Sequence, residues 1–186
     1  MQNVLNIAYG IWLLSEILLA RFMRSKVTDP KNKDKKSLSI IWLTIVASIT
    51  CSIFISFNIA LPLGSWIYAA TGGVSLIALG IVLRLWIIST LGRFFTVDVT
   101  IQENHQLKTD GFYRILRHPS YTASLITFTG FGISLNNWLS FLIVAVAVSS
   151  AFIYRIKVEE KALIEQFGEE YLRYQRSTPA LIPFIY

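Results

Sequence analysis

The sequence has little charge and almost no cysteine. Only 15% of its 186 residues are charged, against about 25% in an average soluble domain. Its single cysteine, Cys51, lies in an apolar run, so no intramolecular disulfide can form and a metal or redox role would need partners that the sequence does not supply. The chain also lacks the Gly-x-Gly-x-x-Gly motif of soluble nucleotide-binding domains. We therefore predict neither a disulfide framework nor a metal site.

Long apolar runs are abundant, since 54% of the residues are hydrophobic. A helix needs about 20 apolar residues to cross a bilayer. On this measure we predict five membrane-spanning helices, at about residues 4–22, 38–60, 67–91, 119–135 and 138–154. The first run is not expected to be a cleaved signal peptide, because no basic residue precedes it. No repeat or linker divides the chain, so residues 1–186 are predicted to form a single all-α membrane domain.

The basic residues are unevenly distributed. Apart from Arg84, all of them fall in three segments, at residues 21–37, 92–118 and 155–186. Since short cytoplasmic loops are enriched in lysine and arginine, this pattern predicts an external N-terminus and a cytoplasmic C-terminus. Anionic lipid headgroups then explain the net charge of +6. We expect a multi-pass protein, of the inner membrane in a prokaryotic host, and no nucleic-acid partner.

The stretch "GFYRILRHPSY", residues 111–121, is unusually polar and lies at the predicted cytoplasmic start of the fourth span. Proline is favoured at the first position of a helix, and the residue before it is biased away from helix, so a helix is predicted to begin at Pro119. The backbone N–H groups of its first turn, with Arg117 and His118, would attract an anion. The alternative is that Arg114 and Arg117 only anchor the chain to lipid headgroups.

A second polar constellation follows the last apolar run. Arg155 and Glu159 are four residues apart and share one face of a helix. Beyond them, apolar and aromatic residues recur at helical spacing, at Leu163, Ile164, Phe167, Tyr171 and Tyr174. This pattern predicts a C-terminal amphipathic helix folded onto the cytoplasmic surface, and a simple membrane anchor is the alternative.

Arg84 lies well inside the third predicted span. A charge at that depth needs a partner or a water-filled cavity, which makes it a candidate functional residue. Glu16, in the first span, is the acidic residue that could reach it. A purely structural pair between the two is the alternative interpretation.

Three segments together carry a specific resemblance, namely "GIVLRLWIISTLGRFFT", "HQLKTDGFYRILRHPSY" and "RIKVEEKALIEQFGEEYLRYQRSTPALIPF". They resemble the isoprenylcysteine carboxyl methyltransferase family of integral-membrane, S-adenosylmethionine-dependent methyltransferases. The similarity covers the chain from about Gly80 to the C-terminus and implies a catalytic core at about residues 80–186. The two preceding spans match that family only in being apolar.

The resemblance implies roles for individual residues. It places a cofactor pocket, covered by the C-terminal helix, at His105, Leu107, Gly111, Tyr113, Arg117, His118, Pro119, Tyr121, Glu159 and Glu160. It also implies three catalytic residues, Arg155, Glu159 and Arg84. The chain departs from a common variant of the family at Ala180, where an arginine is expected, so a role for a tail arginine is not carried over.

The implied chemistry agrees with these residue types. S-adenosylmethionine bears a carboxylate, for which Arg117 and His118 are the predicted donors, and cationic groups, for which Glu159 and Glu160 are the predicted partners. Methyl transfer depends mainly on alignment of the reactants. A carboxylate acceptor would need only orientation, by Arg155 or Arg84, whereas a phenol or enol would need a base, for which Glu159 is the candidate.

The expected acceptor is a lipophilic or prenylated molecule that enters from the bilayer, methylated on a carboxyl or hydroxyl oxygen. Three alternatives stay open. One is methylation of nitrogen or sulfur, as in phospholipid amine methyltransferases, which look similar over the same region. The others are an NADPH-dependent membrane reductase of the sterol-reductase type and a membrane protein without catalytic activity.

Overall fold

The computed structural model of the protein describes residues 1–22, 33–91 and 107–182. These residues form six α-helices and no β-strand. The helices are α1 (Gln2–Phe22), α2 (Lys33–Asn58), α3 (Trp66–Leu91), α4 (Pro119–Ser134), α5 (Trp138–Phe167) and α6 (Glu169–Ser177). A short 3-10 helix, Gly111–Arg114, precedes α4. The predicted all-α architecture is confirmed for this part of the chain.

Three of the helices are long and apolar enough to cross a membrane, with spans at Leu38–Asn58, Trp66–Thr90 and Trp138–Phe167. They coincide with the second, third and fifth predicted spans. The first and fourth predicted spans also form helices, as α1 and α4. That these two helices cross the membrane stays a prediction.

The C-terminal half of α5 differs from the prediction. A span ending at Tyr154 and a separate amphipathic helix were expected, but α5 continues without a break through Arg155 to Phe167. It contains no glycine or proline that could interrupt it. The chain turns only at Gly168, where φ is +53°, a value that glycine adopts without steric cost. The predicted amphipathic face is therefore divided between the end of α5 and α6.

α3 and α4 are in close backbone contact along small residues. A Cβ atom added to Gly73 would lie 2.5 Å from Cβ of Ser134, and one added to Gly80 would lie 2.7 Å from the carbonyl oxygen of Ala123. Side chains this small let two helices approach closely in a membrane, where packing replaces the hydrophobic effect as the driving force. This contact fixes the register of α3 against α4.

α5 lies between α2 and α4. On one side, the hydroxyl groups of Ser52 and Ser140 each donate to the other residue's carbonyl oxygen, at 3.1 and 2.7 Å. On the other side, an apolar core joins α5 to α4 and α1, with Trp12, Phe128, Phe131, Val144, Val148 and Phe152 among its buried members. Ser52 and Ser140 satisfy their hydroxyls inside the bundle, which is the usual solution for polar groups in an apolar environment.

The α2–α3 connection, residues 59–65, and the α4–α5 connection, residues 135–137, meet at one end of the bundle, and neither contains a charged residue. The amide of Asn136 donates to the carbonyl of Gly64 at 3.1 Å, and the amide of Asn137 donates to the carbonyl of Ile59 at 2.6 Å. Tyr9, in the N-terminal half of α1, bonds to Ser134 near the same end. The start of α4 and the C-terminal part of α5 therefore lie at the opposite end, where the polar residues of the predicted site converge.

The close contact of α3 with α4 gives a direct test of the packing. We expect Gly73→Ala to lower stability by about 1–3 kcal/mol, because the new methyl group collides with Ser134 and the overpacked helices must separate. The adjacent Gly72 is a matched control, since a Cβ there meets no atom within 4 Å. Gly72→Ala should be neutral or slightly stabilising. Thermal unfolding in detergent would compare the two, and equal effects would contradict the close contact.

Candidate active site

Charged side chains are buried where the C-terminal part of α5 meets the start of α4. Arg155 is completely buried, and His118 and Glu160 are each 8% exposed. A buried charge is tolerated only when it is paired and hydrogen-bonded. The neighbours of these residues therefore show how the site is assembled.

The residues just before α4 are hydrogen-bonded to the C-terminal tail, residues 178–182. α4 begins at Pro119, as predicted. The backbone N–H groups of Arg117 and His118 donate to the carbonyl oxygens of Pro179 and Ala180, at 2.9 and 3.0 Å. The tail therefore lies along the segment that enters α4. Its carbonyl oxygens accept hydrogen bonds from the two backbone N–H groups that immediately precede α4.

Glu160 is the centre of the site. Its Oε1 accepts hydrogen bonds from Nε of Arg117 at 2.7 Å, from Nε2 of His118 at 3.2 Å and from the hydroxyl of Tyr171 at 3.2 Å. Its Oε2 accepts one from the amide of Gln175 at 3.0 Å. Both carboxylate oxygens are thus occupied, and a single side chain of α5 holds the start of α4 and α6 together.

Glu159, the adjacent residue, is used differently. Its Oε1 accepts hydrogen bonds from Nε of Arg155, at 3.0 Å, and from the hydroxyl of Tyr121. Its Oε2 faces Nδ1 of His118 at 3.5 Å, and its side chain is 22% exposed. Because a carboxylate oxygen can accept two hydrogen bonds, Oε2 keeps the capacity to bind a further donor.

His118 lies between the two glutamates, with one ring nitrogen toward each. Burial by itself would lower the pKa of His118. The hydrogen bonds and negative charges of Glu159 and Glu160 together outweigh burial and raise the pKa above its ordinary value. Both ring nitrogens then act as donors, which is the pattern of the imidazolium form.

Three tyrosines complete the surroundings as neutral phenols. The hydroxyl of Tyr174 donates to the carbonyl oxygen of Tyr113, and burial raises the pKa of Tyr174 to about 12. Burial also raises the pKa of Tyr113 and of Tyr171, and nearby negative charge from Glu159 and Glu160 adds to each shift. The hydroxyl groups of Tyr171 and Tyr174 therefore serve as hydrogen-bond donors, to Glu160 and to the carbonyl oxygen of Tyr113.

The structure brings two of the three predicted catalytic residues together and places the third in a separate ion pair. Arg155 and Glu159 are in direct contact within α5. Arg84 instead donates through Nη1 to Glu16 of α1, the pair that the sequence offered as an alternative.

The predicted cofactor-binding residues are mostly brought together. Arg117, His118, Tyr121, Glu159 and Glu160 form one network, and Pro119 opens α4 beside it. Tyr113 joins the network through Tyr174, Gly111 begins the 3-10 helix with φ at +57°, and Leu107 is half-buried. His105 lies outside the described residues.

Two features differ from the predictions or were missed. Arg117 and His118 were expected to face an anion of the cofactor, but both bond to Glu160. Arg117 and His118, the predicted donors to an anion, thus pair with Glu160, the predicted partner of a cation. Gln175 was not predicted at all. Its spacing of four from Tyr171 places both on one face of α6, which is the signal that could have identified it.

Comparisons with known proteins agree with this geometry. A family profile described as phospholipid methyltransferase matches residues 68–170. Protein-S-isoprenylcysteine O-methyltransferase B of Arabidopsis thaliana is 40% identical over 115 residues, which are 61% of this chain and 58% of the relative. The Mus musculus protein-S-isoprenylcysteine O-methyltransferase is 30% identical over 183 residues, which are 94% of this chain and 65% of the relative.

A solved structure of the eukaryotic intramembrane Ras methyltransferase, isoprenylcysteine carboxyl methyltransferase, has the same fold. It superposes with a TM-score of 0.63 at 30% identity and covers 77% of this chain and 52% of its own. The chain thus spans between about half and two thirds of the length of these relatives. The resemblance predicted from the sequence motifs is confirmed. Because the family profile covers more than half of the residues, the chain belongs to the phospholipid methyltransferase family, with isoprenylcysteine O-methyltransferases among its relatives.

Proposed function

We propose that this protein uses S-adenosylmethionine to methylate the carboxylate of a lipidic acceptor of the prenylated-cysteine class within the membrane. The observation that carries the proposal is the buried cluster of Arg155, Glu159 and His118, in which one oxygen of Glu159 keeps spare acceptor capacity. The names of the relatives supply the acceptor class and favour methyl transfer over a nicotinamide-dependent reduction.

The residues fit a methyl donor with cationic groups. Glu159 would hold such a group through Oε2, while its Oε1 stays fixed by Arg155 and Tyr121. Glu160 accepts hydrogen bonds from four protein donors and would hold the surrounding segments in place. S-adenosylmethionine, when bound, supplies an electrophilic methyl group whose bond to sulfur breaks as the acceptor oxygen bonds to carbon.

The site favours an acceptor that is already ionised. His118 favours its protonated form, so it is a poor base. Glu159 already accepts hydrogen bonds from Arg155 and Tyr121, which reduce its tendency to take a proton. A carboxylate needs no deprotonation at neutral pH, and its alignment with the methyl group is the main contribution required of the protein.

A phospholipid amine is the second candidate acceptor, favoured by the description of the matching family profile. An ammonium headgroup must lose a proton before it can attack a methyl group, and the described site offers no free base for that step. Methyl transfer to a prenylated cysteine and to phosphatidylethanolamine, measured side by side, would separate the two acceptors.

We also propose that α1 and α4 cross the membrane with the other three helices, which gives five spans, an external N-terminus and a site that faces the cytoplasm. The charge distribution supports this arrangement. The connections at one end of the bundle, residues 59–65 and 135–137, contain no charged residue. Arg117, Lys157 and Lys161 lie at the opposite end, as expected for the cytoplasmic side.

The role of Glu159 can be tested by one substitution. We expect Glu159→Gln to lower kcat/KM for methyl transfer by about 10- to 100-fold, since a hydrogen bond to a charged group contributes about 1.5–3 kcal/mol. Glu165, an exposed glutamate on the same helix, is the matched control, and Glu165→Gln should keep wild-type activity. Transfer of labelled methyl from S-adenosylmethionine to a prenylated cysteine is the measurement. Full activity of Glu159→Gln would exclude Glu159 from the site.

The raised pKa of His118 predicts how stability depends on pH. The folded protein binds the imidazole proton more tightly than the unfolded chain, whose histidine pKa is about 6.5. This stabilisation is therefore complete below that value and is lost as the pH rises through the folded pKa. We expect the thermal midpoint to fall as the pH rises above about 6.5, and His118→Gln to flatten that slope. A slope unchanged by the substitution would mean that His118 is not protonated in the fold.

A further inference from the structure

The short 3-10 helix before α4 lies beside the membrane span of α3. Phe112 of the 3-10 helix contacts Trp86 of α3, with ring centroids 5.0 Å apart. Trp86 is four residues before Thr90, where the candidate span of α3 ends, and four residues of α-helix rise about 6 Å. The next residue of the 3-10 helix, Tyr113, packs with Ile87. The 3-10 helix therefore lies level with the end of an apolar span instead of beyond it.

One face at this level is apolar and exposed. Val82 and Trp86, one turn apart on α3, are 61% and 59% exposed, and both lie within the candidate span. Ile115, which directly follows the 3-10 helix, is 58% exposed. Tryptophan is enriched where a protein passes from the hydrocarbon to the headgroups of a bilayer. We therefore expect these three side chains to contact lipid.

Arg114 supplies the charge at this level. Its side chain is exposed, and among the described residues no acid forms a hydrogen bond or an ion pair with it. Asp110, the acid nearest in sequence, is instead paired with Lys108 at 3.0 Å. Arginine can lay its aliphatic stem along apolar surface and extend its head to the headgroups. Its forked donors match two oxygens of a phosphate.

The combination of charge and depth favours a lipid as the occupant of this surface. A free phosphate could neutralise Arg114, but it could not cover Trp86 and Ile115. A phospholipid can do both, because its phosphate and its acyl chains are joined at the depth where the charged and apolar side chains meet. A headgroup with a net charge of −1 complements the single positive charge, whereas a zwitterionic headgroup brings a cation of its own.

The 3-10 helix is also connected to the helix that covers the candidate active site. The carbonyl oxygen of Tyr113 accepts a hydrogen bond from the hydroxyl of Tyr174 on α6. The same helix carries Tyr171 and Gln175, which both donate to Glu160. A restraint on the 3-10 helix therefore also restrains α6.

We propose that Arg114, Trp86 and Ile115 bind one anionic phospholipid of the surrounding leaflet, and that this lipid stabilises α6 over the candidate active site. The guanidinium of Arg114 holds the phosphate, and the acyl chains lie against the two apolar side chains. The hydrogen bond between Tyr113 and Tyr174 connects this lipid site to α6. The lipid acts here as a bound ligand and is distinct from the methyl acceptor.

The charge preference is tested by titrating the full chain in detergent with dioleoylphosphatidylglycerol and with zwitterionic dioleoylphosphatidylcholine, and counting bound lipids by native mass spectrometry. We expect Arg114→Gln to weaken binding of the anionic lipid about 5-fold more than binding of the zwitterionic one, the effect of one basic residue at an anionic surface. Arg114→Lys should retain part of the preference, because it keeps the charge and loses the fork.

Arg176→Gln is the matched control, because Arg176 is an exposed arginine on α6 that bonds to Glu169 at 3.4 Å. It should keep the wild-type preference. A preference that survives in Arg114→Gln, or that falls equally in Arg176→Gln, would overturn the proposed site.

The depth of the site is tested with a fluorescent label. Cys51 is the single cysteine of the chain, so Ile115→Cys in a Cys51→Ser background takes one environment-sensitive probe. In nanodiscs we expect lipids with a nitroxide near the headgroup to quench a probe at residue 115. The control is Glu165→Cys, at an exposed position near the end of α5, where the probe should not be quenched. Equal quenching at both positions, or none at residue 115, would contradict the lipid contact.

The connection to α6 is tested by hydrogen exchange. We expect the backbone amides of α6 to exchange more slowly in nanodiscs of phosphatidylglycerol than in nanodiscs of phosphatidylcholine. Tyr174→Phe removes the donor to Tyr113 and should abolish this difference, while it keeps the preference for the anionic lipid. Exchange that ignores lipid charge in wild type, or a difference that persists in Tyr174→Phe, would overturn the proposed stabilisation of α6.

The lipid site and the proposed methylation can fail independently. None of these three measurements uses S-adenosylmethionine or an acceptor. Absence of methyl transfer together with the expected lipid binding would refute the proposed function and leave the lipid site intact. Methyl transfer without the effect of Arg114→Gln would do the reverse.

Discussion

The polar end of this protein depends on one buried carboxylate. Glu160 accepts hydrogen bonds from Arg117 and His118 before α4, and from Tyr171 and Gln175 on α6. Burying any of these donors without a partner would cost desolvation free energy, and so would burying the carboxylate without them. Each group therefore makes the burial of the others possible, and the segment before α4 is held against α5 and α6 in one arrangement.

Two adjacent glutamates perform different tasks because of helix geometry. Successive residues in an α-helix point about 100° apart, so Glu159 and Glu160 leave α5 in different directions. Glu160 points to Arg117, His118 and α6 and accepts four hydrogen bonds. Glu159 points to Arg155 and Tyr121 and keeps part of one oxygen available. The charge that assembles the site is thus separate from the charge offered to a ligand, and His118 connects the two.

Much of the fold could be predicted because it depends on local properties of the chain. Apolar runs determine where helices form, and Pro119 determines where α4 begins. The length of α5 was underestimated, because the apolar run ends at Tyr154 while the helix continues as far as Gly168, the first residue that favours a turn. Hydropathy marks where a chain leaves the membrane and does not mark where a helix ends.

The pairings within the site could be predicted only in part. Arg155 and Glu159 are neighbours on one helix, so their contact follows from spacing alone. The contacts of Arg117 with Glu160, and of Arg84 with Glu16, join residues 43 and 68 positions apart. For such pairs the sequence offers several candidates of opposite charge, and only the register of the helices decides among them.

The tail is held mainly by its backbone, and this has a consequence for how it can vary. The carbonyl oxygens of Pro179, Ala180 and Leu181 accept hydrogen bonds from the segment that enters α4 and from Thr122. A carbonyl is the same whichever side chain accompanies it, so the tail keeps these hydrogen bonds with Ala180 at the position where the family resemblance predicts an arginine. An insertion or deletion would have a larger effect, because it would shift the carbonyl oxygens of the tail away from their hydrogen-bond donors. Evolutionary constraint in this segment should therefore fall on its length as well as on its side chains, of which Ala180 and Leu181 are buried.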